Sequence, residues 1–349
     1  MFEPKANERS EVQFHYLRTT GLLRAKVALT LPDSSGIRFF SENDAAVFVE
    51  SMRRRNVVAR LGGSNNHYLM RAAELSNRTV IEVIGVGTPE TMLAIGEAAA
   101  ALIEKLAVLS TTLVIRRPEL LRKLGIAKSM SAEVNLAVTG QFKRIRSRSQ
   151  RAPIIEGLLI DQSFCSRFNK CGFIPLLKYL DSKSDLSTRV RISADWLLES
   201  RRESSINATV VKTAIALESL LIFAESESLG RTLSERAAFI LSNSPEVRRK
   251  ISNIILRFYD VRSGVVHGSQ KKAKKLTPSL TECVERLTLM LYLVIASNSD
   301  LWPTVESLRL WCEDQRWDKP FTDVKFPLTG KYLNTAVALE ATEKRHIGS

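Results

Sequence analysis

The sequence predicts an α+β N-terminal domain followed by an all-α helical bundle. Three observations carry this. The runs that alternate in polarity or are rich in β-branched residues lie almost entirely before residue 161. Amphipathic helical stripes opened by capping residues succeed one another from about residue 191 onward. Between the two, the stretch 180–187 (LDSKSDLS) is polar and without period, as domain boundaries are. A chain of 349 residues is long enough for two cores. We expect an α+β domain over 1–185, a helical bundle over 188–318 and a C-terminal extension over 319–349.

In chain order, Val12–Leu17 alternates and reads as a strand, and Ala25–Leu31 as a second. Residues 42–55 read as a helix ending in Arg53–Arg55, followed by a strand over 57–61 and a turn over 62–66. His15 is expected as a strand residue and His67 as a loop residue. Thr79–Val86 is a strand that runs through a GxG turn into a helix from about Pro89 to Leu109. The third glycine of the dinucleotide fingerprint is replaced by Glu90, whose charge would repel pyrophosphate. No P-loop occurs either. Residues 133–149 predict one long strand or two around Gly140. This stretch holds the densest basic segment of the chain, with Lys143, Arg144, Arg146 and Arg148. Cations spaced along a strand can track phosphates, or they can keep an exposed edge from pairing. Residues 154–160 read as a strand and 164–180 as a helix.

In the second half, Arg191–Arg202 predicts a helix with Ile192, Trp196 and Leu197 inward. Asn207 caps the next, to about Ala224, whose broad apolar face suggests a central position. Thr232 and Glu235 have capping-box spacing and open a third helix. Thr277–Pro278 opens a long one with Leu280, Val284, Leu287, Leu291 and Val294 on one face, and Pro303 opens a last, to near Trp317.

The fourth of these helices organises the rest. Ser244 is placed to cap it and Pro245 sits at its first turn, where a missing N–H costs nothing. Val247, Ile251, Ile254, Ile255 and Phe258 form its apolar stripe, which Arg262 continues. A buried guanidinium needs a partner. His267 follows, between Gly264 and Gly268, either of which can end or bend the helix. Arg262 and His267 offer a permanent cation and a group that titrates near neutrality. Cleavage of RNA by its own 2′-hydroxyl needs a base, positive charge on the transition state and an acid.

Arg-x4-His in this setting resembles the motif of the HEPN superfamily. The surroundings look most like its ApeA-like branch, where a helix reading roughly AlEsLl precedes a segment reading roughly lYdvRsxivHG. Ala216–Leu221 and Phe258–Gly268 carry the match, and the resemblance spans roughly Thr188 to Leu301. The motif of that superfamily allows four to six intervening residues, and that spacing alone recurs at Arg9/His15 and Arg60/His67, so the helical context carries the inference. The resemblance implies a metal-independent, cofactor-free endoribonuclease that leaves 2′,3′-cyclic phosphate ends. Arg262 would hold the scissile phosphate and His267 would supply acid–base catalysis. Two protomers would assemble the site, so a homodimer is expected. It further implies a cytoplasmic effector of bacterial anti-phage (abortive infection) or stress defence, with residues 1–185 free to meet a trigger protein.

Glu218 lies within the apolar helix before the motif; it is expected to support or orient the site, and in a catalytically silent scaffold it would fully engage Arg262. Ser263 stands where active nucleases of this kind often carry Asn, Asp or His; its hydroxyl can bond a phosphate or orient His267. Lys271, Lys272, Lys274 and Lys275 are expected to attract the RNA backbone. The net charge of +14 and pI near 9.8 also favour a polyanionic partner. The four cysteines lack zinc spacing and are too few for a disulfide framework, so buried thiols and no metal site are expected. No apolar run reaches eighteen residues and no signal-like apolar segment opens the sequence, so no membrane partner is expected. Two other readings are a catalytically silent HEPN scaffold for dimerisation or RNA binding, and a DNA-binding regulator using the basic strand.

Overall fold

The structure, a computed structural model, describes residues 12–19, 23–25, 29–30, 37–40, 80–88, 91–114, 129–139, 145–154, 158–182, 184–224, 228–315, 317, 323–327 and 333–338. The expected helix over 42–55, the strand over 57–61, the turn over 62–66 and His67 lie outside the described residues. The chain forms two compact units, 1–104 with 126–167, and 105–125 with 168–349. The second therefore begins before the polar stretch 180–187.

The first unit is α+β. Strands β1 (Val12–Thr19), β3 (Leu29–Thr30), β4 (Ile37–Phe40), β5 (Val80–Gly87), β6 (Ser129–Thr139) and β7 (Ile145–Ile154) form an antiparallel sheet ordered β3-β4-β5-β1-β6-β7. Strands β2 (Leu23–Ala25) and β8 (Leu158–Ile160) pair in parallel as a separate ribbon. Of the strand expected over Ala25–Leu31, Ala25 belongs to β2 and Leu29–Thr30 to β3, which join different sheets. The stretch around Gly140 is two strands, with Phe14–Arg18 of β1 paired to β6 and β7 at the sheet edge. His15 stands in register with Ile84 and Val138.

Val80, Ile81, Glu82 and Val83 are all buried, as in a strand covered on both faces. Glu82 is matched across the ladder by Arg38, Nε to Oε2 2.9 Å. Helix α1 (Met92–Val114) buries Met92, Gly96, Ala100, Ile103 and Ala107 on one stripe. Gly96 lets its backbone lie directly on the Tyr16 ring.

The described residues of the second unit form helices and loops. Helix α2 (Gln162–Lys170), most of which belongs to the first unit, and α3 (Phe173–Asp181) replace the single helix expected over 164–180. Gly172, at φ 88, breaks it, a conformation that costs side-chain-bearing residues dearly. Helix α4 (Asp185–Arg202) starts six residues before the expected Arg191, because Ser184 Oγ accepts from Ser187 N at 3.0 Å. It also faces differently from expectation. Ile192 and Trp196 are 45% and 37% exposed, while Ser193, Ala194, Leu197 and Ser200 point inward. The cause is close approach to α5 (Ile206–Leu221): Ser193 Oγ donates to Ala216 O at 2.5 Å and meets Tyr292 Oη at 2.7 Å. Small residues permit that contact; isoleucine and tryptophan do not.

Helix α6 (Leu229–Leu241) contains the expected capping box inside it, and Glu235 pairs with Arg231 instead, at 3.0 Å. Helices α7 (Pro245–Val266) and α8 (Gln270–Ala273) carry the site. Helix α9 (Pro278–Ser297) is capped by Thr277 as expected, Oγ1 accepting from Leu280 N at 3.2 Å. It is more fully enclosed than α5, since every residue from Cys283 to Ala296 is buried. A helix surrounded by α3, α4, α5, α6 and α7 has no solvent face to keep polar. Helix α10 (Val305–Asp314) opens with a Thr304–Ser307 box and ends three residues before Trp317.

The C-terminal segment packs on α9. Asn298 both donates to Lys325 O (2.8 Å) and accepts from Lys325 N (2.7 Å), and Cys283 Sγ donates to Ala336 O at 3.0 Å. Cys165, Cys171, Cys283 and Cys312 are free and buried. Burial pushes the Cys165 thiol up to about 11 and those of Cys283 and Cys312 up to about 12, so none is a ready thiolate. Among the described residues no helix is long and apolar enough to cross a membrane.

Candidate functional site

Helix α7 sets the geometry. It starts at Pro245, but the Ser244 side chain makes no capping bond; Ser244 supplies its carbonyl to Arg248 N (2.9 Å) and its N–H to Ser242 Oγ (3.1 Å). Ile251, Ile254, Ile255 and Phe258 are buried as the periodicity predicts, and Val247 is only half-buried. Sequence reasoning missed Arg248, fully buried, which donates from Nε to Ser242 O at 2.8 Å and lies 5.4 Å from the Phe239 ring centre.

The helix ends at Gly268, not at Gly264. His267 is the C-cap and its N–H donates to Ser263 O at 3.0 Å. Gly268 turns left-handed at φ 70, and Ser269 N reaches back to Gly264 O at 2.8 Å, the long bond of a Schellman end. A Cβ at Gly268 would meet nothing within 4 Å, so its substitution carries only the backbone cost. Gly268→Ala should destabilise the helical unit by about 1–2 kcal/mol and fray the turn that carries His267. Thermal melting and amide exchange at 263–267 check this, and unchanged exchange would refute it.

Arg262 meets Glu218, the pairing that the silent-scaffold reading expects, with Nη2 to Oε1 at 3.2 Å. The same Oε1 accepts from Tyr259 Oη at 2.8 Å, a partner the sequence did not disclose. Burial, and then the Glu218 charge, push the Tyr259 phenol well above its ordinary value, so it stays a donor at every physiological pH. The two side chains of the ion pair are 22% and 21% exposed. Glu218 thus holds one edge of the guanidinium, while Arg262 Nε is buried without a partner among the described residues. The end of α5 that carries Glu218 is itself pinned: Arg189 Nη1 donates to Ser219 O and Ile222 O, and Arg236 Nη1 to Leu221 O. Phe223 lies beside both guanidinium groups, at 5.4 and 4.2 Å.

His267 is exposed and its imidazole makes no hydrogen bond or ion pair among the described residues. Five helical positions separate it from Arg262, about 140° around the axis and about 7.5 Å along it. The two residues therefore occupy different stripes. Arg262 follows Phe258 and Ile255, whereas His267 follows Ser263, Asp260 and Leu256 on the outer face. Ser263 is half-buried and its carbonyl fixes the His267 backbone.

The lysine cluster folds back onto that outer face. Asp260 Oδ1 pairs with Lys272 Nζ at 2.8 Å and Oδ2 with Lys275 Nζ at 3.2 Å. Lys271 and Lys274 are exposed and have no ion pair among the described residues. Of the second basic group, Lys143 and Arg144 lie outside the described residues; Arg146 and Arg148 belong to edge strand β7, in register with Ala137 and Asn135. Among the described residues no three His, Cys, Asp or Glu side chains gather as a metal site.

No family model, no curated protein and no solved structure matches this chain.

Proposed function

We propose that the protein is a metal-independent RNA endonuclease of the HEPN type. Arg262 holds the scissile phosphate and His267 transfers protons. The observation that carries this reading is the helix end itself: an exposed imidazole on a Schellman turn, one turn beyond a guanidinium held on one edge by Glu218. Their separation around α7 suits a site completed by a second protomer, in which each His267 serves beside the other's Arg262. The +14 charge and the adjoining lysines suit a polyanionic substrate. On this reading the protein works in the cytoplasm as a defence or stress effector, with the α+β unit receiving a trigger.

A second reading is favoured by one observation, the Arg262–Glu218 pair itself. If that contact is permanent, the bundle is a silent scaffold that binds RNA or dimerises. The two separate in a single assay, in which wild type and His267→Ala are incubated with total RNA in EDTA and the fragment ends are examined. The nuclease reading expects 2′,3′-cyclic phosphate ends from wild type and a loss of about 10²–10⁴-fold in rate for the variant. Equal cleavage by both proteins, or cleavage abolished by EDTA in wild type, would sink it.

A further inference from the structure

We propose that the α7–α8 elbow is a binding surface for the phosphodiester backbone of single-stranded RNA, and that Asp260 is its internal counter-anion, displaced by RNA phosphates from Lys272 and Lys275. The choice of RNA rests on the proposed function; the surface rests on geometry.

Four lysines fall within five residues of one another, and the Gly268 turn brings them back beside the outer stripe of α7. Asp260 takes one lysine on each carboxylate oxygen. Those hydrogen bonds, Lys272 first and Lys275 next, hold its carboxyl below the ordinary range, so it is charged at neutral pH. Lys272 and Lys275 remain 45% and 61% exposed, which makes both pairs weak, hydrated and exchangeable. A phosphate presents the same oxygen chemistry with the whole RNA charge behind it, and wins the exchange at low salt. Lys271 and Lys274 have no such competitor among the described residues and make first contact. Asp260 thereby lowers affinity and keeps the patch from holding every polyanion it meets. His267 lies on the same stripe, so a backbone bound at the elbow passes the imidazole.

The test measures binding of a 2′-O-methyl oligoribonucleotide, which has no free 2′-hydroxyl and cannot be cut, by fluorescence anisotropy across a salt series. Wild type, Asp260→Asn, Lys272→Ala/Lys275→Ala and the triple variant are compared, with thermal melting to confirm that each is folded. Asp260→Asn should bind several-fold more tightly, and its salt dependence should steepen by about 0.7 in log–log slope for each lysine released. The double-lysine variant should bind more weakly with a flatter slope, and adding Asp260→Asn to it should change nothing. Unchanged or weaker binding by Asp260→Asn overturns the proposal, as does a gain that persists without the two lysines. Capture of phosphatidylserine vesicles with no binding of the oligonucleotide overturns it in favour of a membrane surface. Because the probe cannot be cleaved, failure of the nuclease reading leaves these results standing, and the reverse.

Discussion

Phe258→Ala should lower the stability of the helical unit by about 3–5 kcal/mol. Phe258 is fully buried at the middle of the stripe through which α7 enters the core, with Ile251, Ile254 and Ile255 on its N-terminal side. Truncation removes the ring's transfer free energy and leaves a cavity that close-packed neighbours cannot fill. For a unit of this size each kcal/mol is worth roughly 2–4 °C in Tm, so a fall of roughly 10 °C is expected. Leu256→Ala on the same helix is the control. Leu256 is 41% exposed, and its loss should cost about 0.5 kcal/mol or less. Calorimetry on the full chain reads both, as a shift of the helical transition alone. Equal shifts for the two variants would mean that α7 presents a different face to the core.

Gly96→Ala should destabilise the α+β unit by about 1–3 kcal/mol, although alanine is the better helix former by about 1 kcal/mol. The sign is decided by space. A Cβ at position 96 would overlap Cγ, Cβ and Cδ2 of Tyr16, whose side chain is fully buried and belongs to the strand between β5 and β6. No flexible chain end is available to yield; the ring or the helix must move. A coupled variant separates this from any generic helix effect. Gly96→Ala combined with Tyr16→Ala should be more stable than the sum of the single changes predicts, because truncation removes Cγ and Cδ2 from the overlapped volume. Strict additivity in melting experiments would refute the contact.

Several features were legible in the residues because they are local. The α7 stripe follows from a period of 3.6, and Thr277 and Pro278 mark the start of α9 by the chemistry of an orphan N–H. Alternation marked β-structure over 133–149 but left one strand or two open, and the structure resolves it into β6 and β7. The Arg262–Glu218 pair was legible as one of two readings, because a guanidinium on an apolar stripe requires an acceptor and Glu218 was the carboxylate at hand within an apolar helix.

Other features depend on what surrounds an element, which periodicity does not encode. Ile192 and Trp196 share a stripe, and nothing local says that α5 would instead press against Ser193 and Ala194. The apolar residues of α9 read as one face, yet the whole helix is enclosed because five others pack round it. Gly172 splits α2 from α3 through a left-handed backbone that many glycines never adopt.

The sequence by itself determined that this chain has an α+β part followed by helices, and that Arg262 and His267 lie at the end of one of them. It did so because hydrogen-bond caps, side-chain period and charge are properties of neighbours along the chain. Only the tertiary structure decided that Tyr259 shares Glu218 with Arg262, that His267 turns outward, and that Asp260 gathers Lys272 and Lys275. Those pairings join residues brought together by chain reversal: the packing of α5 on α7 sets Glu218 beside Tyr259 and Arg262, and the left-handed turn at Gly268 sets the lysines beside Asp260, distances that period and composition do not encode.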